Sequence, residues 1–253
     1  MPVSKNQIKL YNSLQQKKYR NETGLFLAEG TKIVLELIQS DFEVQHVYCT
    51  ADWQTENPLN YNNIEVVSFE EIKKISALTN PQPVLAIVKQ KETKHFSISN
   101  LKNKLTLFLD DVRDPGNLGT ILRIADWYGI ENIVCSANSV DLYNPKVIQA
   151  TMGSFLRVNC FYSDLKTIIE EAKQNKIPVY ASLLEGKNIY QEKLPTEAIL
   201  VMGNEANGIS KEIVDLCTNY ITIPSFSKSE TGAESLNVSI ATAILISEFK
   251  RFS

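Results

Sequence analysis

The side chains best suited to chemistry gather in three polar loops, each directly after an apolar run. The first follows the run 105–109 and reads Asp110-Asp111-Val112-Arg113-Asp114-Pro115-Gly116-Asn117, with Arg123 six residues on. The second follows 199–202 and reads Gly203-Asn204-Glu205-Ala206-Asn207-Gly208-Ile209-Ser210. The third follows 220–223 and ends in Glu234-Ser235-Leu236-Asn237 before an apolar helix pattern. Carboxamides, a carboxylate, a hydroxyl and a guanidinium at strand ends are groups that grip and orient a polar ligand. Gly203 lets backbone approach such a ligand closely. Singly, each residue also has a plain structural reading. Asn117 and Ser235 are good helix N-caps, and Arg123 suits a solvated surface.

Several other chemistries are excluded. The only histidines are His46 and His95, so a C-terminal site has no Ser-His-Asp, Cys-His or histidine-zinc machinery. The patterns GxxxxGK[ST] and GxGxxG are both absent, which removes a P-loop and the usual dinucleotide fingerprint. Cys49, Cys135, Cys160 and Cys217 form no CxxC pair, so neither a zinc ribbon nor a disulfide framework is indicated. No metal site is expected.

The elements that must position the three loops alternate in type. Strands are predicted at 105–109, 132–135, 156–161, 177–182, 199–202 and 220–223, and helices at 117–128, 144–151, 163–175, 208–217 and 236–251. Repeated β–α units imply a parallel sheet covered by helices, with ligands beyond the carboxyl ends of its strands. Asp114-Pro115-Gly116-Asn117 has the type II turn pattern, and Gly129 suits the position after the helix. In the last helix Ile240, Ala243, Ile244 and Ile246 are expected to face the core. A smaller α/β unit precedes this one. It has a helix over 4–20 with Ile8, Leu10, Tyr11 and Leu14 apolar, a strand over 24–28, a helix over 29–39, strands at 44–48, 64–67 and 84–88, and a short helix at 69–76. The polar stretch 91–104 separates the two, giving domains at 1–90 and 105–253.

The chain has 253 residues and a net charge of −3, which argues against a surface basic all over. Its first thirty-two residues nevertheless hold Lys5, Lys9, Lys17, Lys18, Arg20 and Lys32 against Glu22 and Glu29. That local excess suits phosphate contacts, or equally a solvated helix face. No apolar run reaches the length of a membrane span, and the first twenty residues lack the apolar core of a signal peptide, so a cytoplasmic protein is expected.

Taken together, the three loops resemble the motifs of the SpoU family of RNA 2′-O-ribose methyltransferases, within the knotted SPOUT superfamily. Ala150-Thr151-Met152-Gly153-Ser154-Phe155-Leu156-Arg157-Val158 resembles the stretch between the family's first two motifs. Residues 9–38 and 78–83 resemble the substrate-binding domain that many members carry. The resemblance implies an α/β parallel-sheet domain with a deep C-terminal trefoil knot, a homodimer with its active site completed across the interface, and S-adenosyl-L-methionine held on the knot loops near Leu183, Gly203, Ile223 and Leu236. It implies catalytic roles for Asn117, Arg123, Glu205, Ser235 and Asn237, and RNA contacts through Lys5, Lys9, Lys17, Lys18 and Arg20. Ribosomal RNA is the expected substrate ahead of tRNA. Two features depart from the family pattern: Ala206 replaces a usual glycine, and the loop 225–233, which holds Lys228, Ser229 and Thr231, is longer than usual. The rival readings are a non-catalytic RNA-binding protein on the same fold, a nucleotide-dependent α/β oxidoreductase, and a base methyltransferase.

Overall fold

The computed structural model describes residues 3–59, 61–92, 95–227 and 234–251. The chain divides into two compact units, one of residues 1–92 with 141–156, the other of residues 93–140 with 157–253. The first unit therefore includes a segment that lies, in sequence, in the middle of the second.

The first unit runs α1 (Lys5–Ser13), α2 (Lys17–Thr23), β1 (Leu25–Glu29), α3 (Thr31–Ile38), β2 (Val44–Cys49), α4 (Ala51–Glu56), β3 (Ile64–Val66), α5 (Phe69–Ile75) and β4 (Val84–Lys89). Its four strands lie in the order β1-β4-β2-β3. The expected helix over 4–20 is broken. α1 ends at Ser13 and Gln16 is extended, so the chain restarts at Lys17 with Tyr11 and Leu14 buried in the core. Burial of Leu14 outweighs helical continuity here. Leu10, expected inward, is 37% exposed. α4 was not foreseen, although Thr50 caps it by accepting from the Trp53 N–H.

The second unit runs β5 (Leu105–Leu109), α6 (Pro115–Trp127), β6 (Asn132–Cys135), then, after the excursion that contains α7 (Pro145–Thr151), β7 (Asn159–Tyr162), α8 (Leu165–Gln174), β8 (Val179–Asn188), β9 (Ala198–Met202), α9 (Lys211–Val214), β10 (Asn219–Thr222) and α10 (Val238–Lys250). Its six strands lie in the order β10-β8-β9-β5-β6-β7, and every pairing is parallel. β5 and β9 are buried at every residue, as sheets covered on both faces require. Phe108, Val134, Val179, Val201 and Ile169 share one core, and Phe96, Ile98 and Leu101 of the expected linker pack into or against it.

The helix after β5 begins earlier than the turn pattern suggested. Asp114 is the N-cap of α6, Pro115 occupies its first turn, and the Asp114 side chain accepts from the Asn117 N–H at 2.8 Å. Asn117 thus lies inside the helix and does not cap it. α10 buries Val238, Thr242, Leu245, Ile246 and Phe249, whereas Ile240 is 51% exposed. No helix of the described residues is long and apolar enough to cross a membrane.

Candidate active site

The tips of β5, β9 and α10 meet at a chain of hydrogen bonds. Asn237 caps α10, its Oδ1 accepting from the N–H groups of Ser239 at 2.9 Å and Ile240 at 3.3 Å. That leaves its Nδ2 to donate to Asn117 Oδ1 at 2.9 Å. Asn117 Nδ2 in turn donates to Glu205 Oε1 at 2.8 Å. The direction of the chain is set at both ends. A carboxylate can only accept, and an oxygen already serving two helix N–H groups fixes which end of the Asn237 amide points at Asn117. Residues 88 and 120 positions apart from Asn117 are so locked to it.

Three of the five expected catalytic residues are joined in this way. Ser235, expected to cap the last helix, is exposed and yields that role to Asn237. Arg123 is exposed on α6. Six residues along a helix correspond to about 9 Å of rise and roughly 120° of rotation, so Arg123 and Asn117 point in different directions. Among the described residues, no hydrogen bond joins Arg123 or Ser235 to this set of contacts.

The expected cofactor residues lie at the same edge of the sheet. β8, β9 and β10 are parallel neighbours; Gly203 and Ile223 directly follow β9 and β10, whereas Leu183 lies within β8, where the register with β10 shifts between Tyr220 and Ile221. Thr222 Oγ1 donates to the Leu184 carbonyl oxygen at 3.0 Å, joining β10 to β8 beside Leu183 and Ile223. Leu236, 49% exposed, immediately precedes Asn237. Gly203 is packed against its own loop. A β-carbon there would stand 2.2 Å from the Gly208 carbonyl carbon and 2.3 Å from the Ile209 nitrogen. Ala206 is not among the described residues with left-handed backbone, so it fills the place of the family's glycine without strain. Lys228, Ser229 and Thr231 lie outside the described residues.

Of the five expected RNA contacts, Lys5, Lys9, Lys17 and Lys18 are exposed. Arg20 is not. It is 1% exposed, its Nη1 donates to the Leu14 carbonyl oxygen at 2.7 Å, and its Nε and Nη2 are engaged by Asp141. A guanidinium with those partners is a structural ion pair and is removed from the RNA-contacting set. Asp110, Asp111, Asn204 and Ser136 also belong to the loop network and were not foreseen. Their one signal in the sequence is the pair of acids at the end of a buried strand.

A six-stranded parallel sheet whose polar loops converge beyond its carboxyl ends defines an α/β ligand-binding domain. The chain belongs to the SpoU rRNA methylase family, whose profile matches residues 104–247. Residues 5–86 match the MRM3-like substrate binding domain. A chain from Porphyromonas gingivalis assigned to the TrmH family of RNA methyltransferases is 38% identical and superposes with a TM-score of 0.87 over 99% of each chain. The AdoMet-bound rRNA methyltransferase of Sinorhizobium meliloti is 28% identical, with a TM-score of 0.82 over 98% of this chain and 96% of that one. The 23S rRNA (guanosine(2553)-2′-O)-methyltransferase RlmP of Bacillus subtilis is 28% identical over 246 residues, 96% of each chain.

Proposed function

We propose that this chain is an RNA methyltransferase that transfers a methyl group from S-adenosylmethionine to a ribose 2′-hydroxyl of ribosomal RNA, working as a homodimer in the cytoplasm. The observation that carries the reading is the Asn237–Asn117–Glu205 chain, which joins the start of α10, the first turn of α6 and the loop after β9 in a SpoU-family domain. Four free cysteines suit a reducing compartment.

The site suits the cofactor in its donor chemistry. Ile223 and Leu236 offer apolar side chains beside main-chain groups after the strands, the combination that recognises an adenine, while Leu183 packs on the core and Gly203 lets the 203–209 loop fold back tightly on itself. Glu205 supplies negative charge near a sulfonium. When bound, S-adenosylmethionine supplies an electrophilic methyl group. The chain's own residues must then hold a ribose hydroxyl in line and manage its proton. Asn117, locked from both sides, presents a rigid amide. Arg123 carries the charge that a developing alkoxide needs. A guanidinium holds its proton too tightly to serve readily as a base. The role favoured here is a clamp on the RNA phosphate and the alkoxide, with proton loss following transfer.

Gly203→Ala tests the cofactor assignment. The added methyl meets backbone, which has no rotamer to yield, so the 203–209 loop must shift. Titration calorimetry is expected to show S-adenosylmethionine affinity lowered by at least roughly tenfold, about the value of one lost loop hydrogen bond. Unchanged affinity removes Gly203 from the cofactor site.

Exposed apolar side chains support the dimer. Trp127 on α6 is 85% exposed and Ile240 on α10 is 51% exposed, and the two helices pack together. Ile240→Asp is expected to convert the dimer to a monomer by light scattering and to abolish methyl transfer. A fully active monomer would remove the dimer from the mechanism.

The reading as a whole is tested with labelled S-adenosylmethionine, purified 23S ribosomal RNA and tRNA, followed by nuclease digestion and mass spectrometry. A 2′-O-methylnucleoside from ribosomal RNA is expected. Label in tRNA alone reassigns the substrate, and label on a base reassigns the reaction. Cofactor binding without transfer to either RNA supports the non-catalytic alternative.

A further inference from the structure

The loop that carries Glu205 is tied at both ends to the loop after β5. At its far end, the Ser210 N–H donates to Asp110 Oδ2 at 2.8 Å. At its near end Asn204 does three separate things. Its Oδ1 accepts from the N–H groups of Ala206 at 2.9 Å and Asn207 at 3.1 Å. Its backbone exchanges two hydrogen bonds with Gly208, each 2.9 Å. Its Nδ2 donates to the Asp111 carbonyl oxygen at 2.8 Å. The first two close the turn on itself, and the turn needs nothing more. The third reaches across to another loop.

The receiving carbonyl is itself held in an unusual conformation. Asp111 is left-handed, with φ of +59°, a region that non-glycine residues occupy at a cost, aspartate less so than most. Its N–H donates to Ser136 Oγ at 2.8 Å. The peptide on one side of Asp111 is thus anchored to β6's end, while the carbonyl on the other is aimed at Asn204. Six residues further along, Asn117 meets Glu205.

We propose that Asn204 is a positioning residue for methyl transfer. By bonding the strained Asp111 carbonyl it sets the Glu205 turn at the height where Oε1 reaches the Asn117 amide. The inference rests on the reading of Asn117, Glu205 and Asn237 as the reaction site.

Asn204→Asp separates positioning from turn formation. It keeps the oxygen that accepts from Ala206 and Asn207 and removes the Nδ2 donor. The new carboxylate faces the Asp111 carbonyl oxygen and also Asp111 Oδ2, which stands 3.5 Å from the present Nδ2. Asp110 and Glu205 add negative charge nearby, and Arg113 is occupied at Nε by Asp111 Oδ1 at 2.7 Å. Repulsion pushes the loops apart at high pH. When the new carboxyl is protonated its O–H donates to the same carbonyl, and its acidic neighbours raise the pH at which that occurs.

The experiment measures kcat and KM of wild type, Asn204→Asp, Asn204→Ala and Glu205→Gln between pH 6 and pH 8.5, on a 23S ribosomal RNA transcript with tritiated S-adenosylmethionine. Thermal unfolding is recorded under the same conditions. Asn204→Asp is expected to stay folded, keep its KM for RNA, and lose roughly tenfold in kcat at high pH, the worth of one hydrogen bond. Its activity relative to wild type should rise as pH falls. Asn204→Ala should lose kcat without that recovery. Wild-type turnover in Asn204→Asp at high pH, a ratio that does not move with pH, or a loss that merely tracks the unfolded fraction would each overturn the positioning role. Near-normal turnover in Glu205→Gln would instead remove the site reading, and this inference with it.

Discussion

Arg123→Ala is expected to lower kcat for RNA methylation by roughly 10²–10³-fold, the usual effect of deleting one preorganised group that stabilises a developing oxyanion. S-adenosylmethionine affinity should be unchanged, because among the described residues Arg123 makes no hydrogen bond to the strand tips assigned to the cofactor. Stability should change little, since the side chain is exposed. Near-normal turnover with intact cofactor binding would defeat both the clamp and the base roles.

The same variant tests where Arg123 acts. It lies about a third of a helical rotation from Asn117, on a different face of α6. The arrangement under test is that Arg123 completes the partner's site across the proposed dimer. Mixing Arg123→Ala with Glu205→Gln protein then places an unmutated Arg123 opposite an unmutated Glu205 in every hybrid. About a quarter of wild-type activity should return, because half of the randomly mixed dimers are hybrids with one restored site of two. If Arg123 acts within its own chain, the mixture stays as inactive as its parts.

The sheet was legible because β5 and β9 are continuous apolar runs and the helices between strands carry clear caps. The strand tips followed, and with them Asn117, Glu205 and Asn237. The division of labour inside α10's cap was not legible. Ser235 and Asn237 are both good capping residues, and only the partner of Asn117 Oδ1, 120 positions away, decides between them. The Asp111–Asn204 bond was hidden for a related reason, since a left-handed aspartate has no sequence mark. In the lysine-rich segment, charge and proximity give Arg20 the same sequence signature as Lys17 and Lys18. Its burial depends on Asp141, which comes from a segment that the strand–helix pattern assigns wholly to the second unit.

Arg20→Ala is accordingly expected to act on stability. The Arg20 side chain is 2% exposed and that of Asp141 14%, so truncating the arginine leaves a carboxylate with little water and no counter-charge. Breaking a buried pair from one side costs about 3–5 kcal/mol. Urea denaturation should show that loss in the first unit, where α7 packs on β1 and Asp141 opens the segment that carries α7. The double variant Arg20→Met/Asp141→Leu should recover much of it, because the charge left stranded by the single change is gone. Lys17→Ala is expected to behave oppositely, with unchanged urea stability and a salt dependence of RNA binding shallower by about one phosphate contact. If Arg20→Ala instead unfolds like wild type and flattens the salt dependence, Arg20 returns to the RNA-contacting set, and the ion pair with Asp141 does not hold the first unit together.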